Sequence, residues 1–216
     1  MDAIPSHLQP NRARFAADPF GYAALTGYRW AFAQAVGGVS DRQADPNASR
    51  ELKSPVLWLA HAHAMSEAAA AVLKHDPAFD SMPPLVRGLC DGQYCAAGLM
   101  LVGYSLEICL KAMCLIKTGV GGYASQEQLY RHHDLLRLSK AVPDLTEKDN
   151  AILQLLTHFV TWAGRYPDPG QKREADTDRV FALSERHRIT ANDLFTLVSR
   201  IMRHVATATE TLGDAS

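Results

Sequence analysis

The sequence lacks the features that would assign the chain to a function class at first sight. Its 22 basic and 23 acidic residues leave a formal net charge of −1, which argues against broad electrostatic binding to nucleic acid or to an anionic membrane. No segment contains the roughly 20 uninterrupted apolar residues of a membrane span. The N-terminus has neither the basic start nor the apolar stretch of a signal peptide. The 4 cysteines all lie between positions 90 and 114, which favours reduced thiols over a disulfide scaffold. We therefore expect a soluble cytoplasmic protein with no membrane association.

Familiar catalytic and metal-binding motifs are also missing. The sequence has no glycine-rich phosphate loop and no serine-nucleophile elbow. Two cysteine pairs share the spacing Cys-x4-Cys, but residues five apart on a helix point in different directions. These pairs are Cys90 with Cys95 and Cys109 with Cys114. The His-His-Asp run at 132–134 lacks the further histidines and aspartate that a metal phosphohydrolase requires. We therefore predict neither a metal site nor a cofactor.

What the sequence does have is helical periodicity. Apolar residues recur at helix spacing along most of the chain, no alternating strand pattern is convincing, and the hydrophobic content of 47% is enough for a sizeable core. The predicted fold class is all-α, an up-and-down bundle of four to five helices over residues 52–212 with an N-terminal helical extension. Residues 1–51 are that extension, a loose polar arm over 1–19 followed by a short aromatic-rich helix over 20–36. Residues 213–216 are a tail.

The first two helices of the bundle have clear local signals. Ser54 and Pro55 favour a helix start, and the helix runs to about Lys74. One stripe of this helix is made mostly of small residues, which permit close helix contact within the domain or between subunits: Leu57, Ala60, Ala64, Ala68 and Ala71. The stretch 98–117 is apolar nearly all round, so it predicts a central helix over 93–118 that ends at a group of glycines.

Three further helices follow the central one. A third helix is predicted over 128–142. Thr146, with Asp149 in the capping-box position, begins a fourth helix that ends near residue 165. The polar stretch 171–188 is consistent with a short exposed helix. Thr190 caps the last helix, whose apolar stripe predicts a buried face.

Two charged residues near the middle of the central helix begin a candidate site. Glu107 and Lys111 are four residues apart, in the favourable order for a helical ion pair. One interpretation is a buried pair that fixes helix register, because an unpaired buried charge is costly. A second is that the pair lines a cleft, and a third is a solvated pair. The predicted cleft would also contain His133, Asp134 and Arg165.

The other candidate residues have structural alternatives as well. His133 either exchanges protons in the cleft or packs at a helix start. Arg165 lies at a helix C-terminus, where a cation interacts favourably with the dipole, or it holds a phosphate through two hydrogen bonds. Tyr166 either stacks on a base or packs beside the neighbouring proline.

Three short motifs occur in an order that resembles the HEPN family of prokaryotic helical domains. They are Gly103 to Ala112 (GYSLEICLKA), His133 to Leu136 (HDLL) and Arg165 to Asp168 (RYPD). The resemblance covers roughly residues 90–210. It implies a four- to five-helix bundle that often dimerises and works around RNA. Members include metal-independent endoribonuclease toxins, phage-defence effectors and non-catalytic partners of nucleotidyltransferases.

The chain departs from the ribonuclease members in one respect. Those members have an arginine and a histidine separated by four to six residues, and no arginine here has that spacing. Arg200 and His204 are separated by only three residues. We therefore favour a non-catalytic, homodimeric subunit of a toxin–antitoxin or phage-defence system that binds RNA or a nucleotide phosphate. Two alternatives stay open. One is a metal-independent endoribonuclease in which His133 or His204 transfers protons and Arg165 steadies the phosphate, and the other is a ligand-free dimeric scaffold.

Overall fold

The computed structural model describes residues 11–24, 54–125, 130–167 and 174–213, and these ranges contain helices but no strand. The predicted all-α fold class is confirmed. Contacts between Cα atoms divide the chain into two compact units, Met1–Leu57 and Trp58–Ser216. The second unit contains the helical bundle and the candidate site.

Two short helices lie within the described residues 11–24 of the first unit. They are α1 (Arg12–Ala17) and α2 (Pro19–Ala24). The side chain of Asn11 caps α1 by accepting a hydrogen bond from the Ala13 N–H at 3.0 Å, so the prediction of a loose arm is wrong at residues 12–17. The predicted helix over 20–36 begins at Pro19, and its residues after position 24 lie outside the described ranges.

The bundle is formed by the remaining elements. In chain order they are α3 (Pro55–Lys74), α4 (Pro84–Ser125), α5 (Leu135–Leu138) with a 3₁₀ turn (Ser139–Ala141), α6 (Glu147–His158) with a π-helical segment (Phe159–Ala163), α7 (Glu174–His187) and α8 (Ala191–Gly213). Helix α4 is central and packs against α5, α6, the π-helical segment and α8. Its core side chains are among the most buried in the bundle, including Leu106, Leu110 and Met113.

The central helix begins earlier than predicted. It starts at Pro84, a residue type that suits the first helical turn because it has no N–H to leave unpaired. Gly88 and Gly92 lie on its exposed first turns, where their weak helix propensity obscures the pattern in the sequence. The predicted end at residue 118 lies next to a kink at Gly119, where φ is 67°.

The predicted third helix over 128–142 is wrong as a continuous element. Residues 131–134 are not helical, and the side chain of Asp134 then caps α5 by accepting a hydrogen bond from the Arg137 N–H at 3.0 Å. The helical spacing of apolar residues hides this break. As a result, His133 lies in a loop that precedes a short helix.

The capping signals of the two later helices are confirmed. Thr146 and Asp149 form a reciprocal capping box at the start of α6. The Thr190 hydroxyl accepts a hydrogen bond from the Asp193 N–H at 3.2 Å at the start of α8. The apolar stripe of α8 is buried as predicted: Leu194, Leu197, Val198, Ile201 and Val205.

A much smaller share of helix α3 than of the central helix α4 is buried. Ala62 and Ala69 are its buried residues, whereas the predicted alanine stripe is exposed: Ala60, Ala64, Ala68 and Ala71. By length and composition alone, both α3 and the Pro84–Gly119 part of α4 meet the criterion for a membrane span. The most apolar window of α4 is 56% buried, as expected of a core helix, but that of α3 is only 11% buried.

Candidate functional site

One face of the central helix carries the predicted ion pair. Glu107 is 5% exposed, and its Oε1 accepts a hydrogen bond from Lys111 Nζ at 2.7 Å. The other carboxylate oxygen, Oε2, lies 2.9 Å from Nδ1 of His133. The pair is therefore buried, as the first interpretation of the sequence holds. Through the second carboxylate oxygen, the pair also contacts His133.

The contact with Glu107 determines which nitrogen of His133 carries a proton. An ionised carboxylate only accepts hydrogen bonds, so Nδ1 must be the donor. In the neutral imidazole, Nε2 is then an acceptor with a lone pair, and in the imidazolium Nε2 is a second donor. The side chain of His133 is 47% exposed, so part of the ring is open to solvent.

The π-helical segment positions Arg165. In an α-helix the Gly164 N–H would bond to the Val160 carbonyl. Here it bonds to the Phe159 carbonyl at 3.1 Å, five residues back, and the Arg165 N–H bonds to the Trp162 carbonyl at 2.8 Å. The Val160 carbonyl is left outside the backbone ladder and accepts a hydrogen bond from Arg165 Nη2. The π-turn therefore supplies the acceptor that holds the guanidinium in place.

Two glycines allow this segment to approach the central helix. A Cβ on Gly103 would lie 2.3 Å from Val160 Cγ2, and a Cβ on Gly164 would lie 2.4 Å from Met100 Cβ. No such contact is tolerated, so each position requires glycine for close packing. Each glycine is followed directly by a residue of the site, Tyr104 after the first and Arg165 after the second.

Tyr104 joins the two exposed ends of the site. Its ring centroid lies 5.4 Å from Arg165 Cζ, a cation–π contact, and 6.3 Å from the His133 ring centroid in an edge-to-face arrangement. We refer to Tyr104, Glu107, Lys111, His133 and Arg165 together as the Glu107 cluster. Sequence reasoning missed Tyr104. The available signal is its position three residues before Glu107, which places both on one helix face.

The remaining predicted site residues lie apart from the cluster contacts. The Asp134 side chain caps α5, and Tyr166 is 57% exposed on the turn after the π-helical segment. His204 is on α8, and its Nε2 is buried with no hydrogen-bond partner in the part of the chain that the structure describes. None of the described contacts joins His204 to His133 or Arg165, so the geometry does not support His204 in the alternative catalytic role.

The described ranges contain no evident site for metal binding or for thiol chemistry. No group of three or more histidine, cysteine or acidic side chains is placed there to hold a metal ion. All four cysteines are unpaired thiols. Burial raises the pKa of Cys109 to about 12, so this thiol stays protonated and unreactive at neutral pH.

The chain matches no family model, no curated protein and no solved structure. Its function must therefore be argued from the Glu107 cluster itself.

Proposed function

We propose that this chain is a non-catalytic, HEPN-like module that binds the phosphate of RNA or of a nucleotide through the Glu107 cluster. The observation that carries the proposal is that Arg165 and His133 both contact the ring of Tyr104. These residues come from three separate motifs of the sequence, and the long-range packing of the bundle brings them together.

The charges of the cluster suit an anion. Lys111 is neutralised by Glu107 in the buried part of the cluster, where the two side chains are 14% and 7% exposed. Arg165 has no such carboxylate among its described contacts, and its guanidinium is anchored by a neutral carbonyl and an aromatic face. Its remaining N–H groups lie in the plane of the guanidinium and can donate two parallel hydrogen bonds to phosphate oxygens. Protonated His133 adds a second donor through Nε2.

The proposal includes the assembly that the family resemblance implies. We propose a cytoplasmic homodimer that acts in a toxin–antitoxin or phage-defence system, with a nucleotidyltransferase-type protein as a further partner. The exposed alanine stripe of α3 supports dimerisation, because small side chains let two helices approach closely. Such a surface would also account for a long apolar helix that the described residues of one chain leave largely exposed.

The test measures binding and cleavage of RNA in one experiment. Fluorescently labelled single-stranded RNA is incubated with the purified protein in EDTA, and complexes and fragments are resolved separately. We expect intact RNA that is bound by the wild-type protein and bound more weakly by Arg165→Ala and His133→Ala. Loss of one phosphate contact should also lower the slope of log affinity against log salt by about 0.7. Arg186→Ala is the control, because it removes the same charge from an exposed position on α7.

A second candidate function is favoured by the contact between Glu107 and Nδ1 of His133. In neutral His133 the Nε2 lone pair can take the proton of a ribose 2′-hydroxyl, whose oxygen then attacks the adjacent phosphorus. The bond from phosphorus to the 5′-oxygen breaks, the 5′-oxygen takes a proton from water, and a 2′,3′-cyclic phosphate forms, while Arg165 stabilises the developing negative charge. RNA fragments that disappear in His133→Ala would establish this reaction and overturn the non-catalytic proposal. If neither RNA nor nucleotides bind, the ligand-free dimeric scaffold is the remaining alternative.

A further inference from the structure

A polar cleft lies beside the Glu107 cluster, between α6 and α7. Its volume is about 320 Å³, which falls at the lower end of the range of roughly 300–1,000 Å³ for small-molecule sites. Apolar side chains such as Leu155 and Val180 line part of it. The polar lining includes Asp134, Gln154, His158, Asp176 and Arg179. A cleft that combines apolar walls with several hydrogen-bonding groups suits a flat, hydrogen-bonding ligand.

The cleft and the Glu107 cluster involve neighbouring residues of the chain at two places. Asp134 lines the cleft, and it is the residue directly after His133. The loop that carries both residues is fixed to α6, because the Leu135 N–H donates to Thr157 Oγ1 at 3.0 Å. Thr161 also lines the cleft, and its neighbour Val160 provides the carbonyl that holds Arg165. The loop before α5 and the end of the π-helical segment therefore carry residues of both the cleft and the cluster.

The polar groups of the cleft combine acceptors with donors. The Asp134 and Asp176 carboxylates are acceptors, and one oxygen of Asp134 is already used by the Arg137 N–H. Arg179 Nη2 donates to Gln154 Oε1 at 3.1 Å, which orients the guanidinium and leaves its other N–H groups for a ligand. Among the bases, guanine alone has a ring N–H and an amino group side by side, which suit a carboxylate. Its O6 and N7 atoms are acceptors that suit arginine.

A flat side chain is also held at the cleft. The His158 ring lies edge-to-face with Trp162, at 4.8 Å between centroids, and with Phe159, at 5.6 Å. A fixed imidazole ring provides a surface on which an unstacked base can lie.

We infer that this cleft binds the guanine base of a nucleotide or of an RNA residue whose phosphate contacts His133 and Arg165. This inference rests on the proposed function, because it assigns the base to the cleft and the phosphate to the Glu107 cluster. The Asp176 carboxylate faces the donor edge of the base, and Arg179 faces its acceptor edge.

The test is a calorimetric titration of the full chain with GMP, AMP, CMP, UMP and ribose 5-phosphate. We expect GMP to bind about tenfold more tightly than the other ligands, as one well-placed bidentate contact provides. Asp176→Asn and Arg179→Ala should each reduce GMP binding to about the level of ribose 5-phosphate. Asp178→Asn and Arg186→Ala are the matched controls, because both are exposed residues of α7 that do not line the cleft. Arg165→Ala should weaken the binding of all five ligands by a similar factor.

The outcomes separate the two proposals. If all five ligands bind equally and Arg165→Ala weakens them, the phosphate site stands and the guanine inference is overturned. A preference for GMP that survives both Asp176→Asn and Arg179→Ala would place the base elsewhere and also overturn it. If no ligand binds, and RNA does not bind either, the proposed function fails together with this inference.

Discussion

At the scale of single residues, Glu107 holds two partners at once, because one carboxylate oxygen contacts Lys111 and the other contacts His133. The sequence predicts its pairing with Lys111, because the spacing of four residues is a local property of a helix. It also names His133 and Arg165 as candidates, but it leaves their roles open. It does not identify Tyr104, because a tyrosine on an apolar helix resembles a core residue. Only the tertiary contacts of its ring with His133 and Arg165 reveal its place in the site.

The buried charge pair gives a direct stability prediction. Glu107→Gln leaves the Lys111 ammonium, which is 14% exposed, without a counter-charge, so we expect a loss of about 3 kcal/mol in the free energy of unfolding. The double variant Glu107→Gln/Lys111→Met removes both charges and should recover most of that loss. Urea unfolding monitored by circular dichroism measures both values. A double variant no more stable than the single one would show that the two charges are not coupled.

At the scale of secondary-structure elements, capping was predictable and tertiary adjustment was not. The boxes at Thr146 and Thr190 are local patterns of a few residues, and the structure has both. The π-turn at Phe159–Ala163 has no comparable local signal. It depends on the close approach of Gly103 and Gly164 to neighbouring helices, which a single sequence does not reveal. The break before α5 has a different cause, because apolar residues recur at helical spacing across it and hide it.

The close helix approach predicts a specific effect of Gly164→Ala. The added Cβ would lie 2.4 Å from Met100 Cβ and 3.0 Å from the Ala96 carbonyl oxygen, so the π-turn must shift. We expect a loss of about 2 kcal/mol in stability and weaker RNA binding, because Arg165 moves with the turn. Gly88→Ala is the control. Its Cβ would meet nothing within 4 Å, and alanine in an exposed helix should stabilise the protein by about 0.5 kcal/mol. Equal stability of the two variants in thermal unfolding would contradict this account.

The capping box of α6 predicts a dependence of stability on pH. Burial alone would raise the pKa of Asp149, but hydrogen bonds from the Thr146 N–H and from Arg200 outweigh it and hold the pKa below its usual value of 3.8. A lowered pKa in the folded state stabilises the fold above the unfolded pKa, and this contribution is lost as the pH falls through the folded value. Asp149→Asn should therefore lower the free energy of unfolding by about 1–2 kcal/mol at pH 7 and by much less at pH 3. Urea unfolding at both pH values tests this, with the exposed Glu147→Gln as the control. A cost independent of pH would exclude the carboxylate charge as its source.

At the scale of the whole molecule, helical periodicity was sufficient to predict the fold class. It was not sufficient to predict how α5 and the π-helical segment lie against the central helix, because those contacts join residues far apart in sequence. The Glu107 cluster depends on these contacts. Its Glu107–Lys111 pair was therefore predictable, and its geometry with His133, Tyr104 and Arg165 was not.

The exposed face of α3 gives the prediction at this scale. Ala60, Ala64 and Ala68 are exposed on a helix whose most apolar window is only 11% buried, and a homodimer would cover them. Ala64→Lys places a long, charged side chain at the centre of that face, so it should convert a dimer to a monomer in light scattering coupled to size-exclusion chromatography. Ala182→Lys, which changes an exposed alanine of α7, should remain dimeric. A monomeric wild-type protein would contradict the prediction. Recovery of the wild-type protein with lipid vesicles would show instead that the apolar face of α3 contacts a membrane surface.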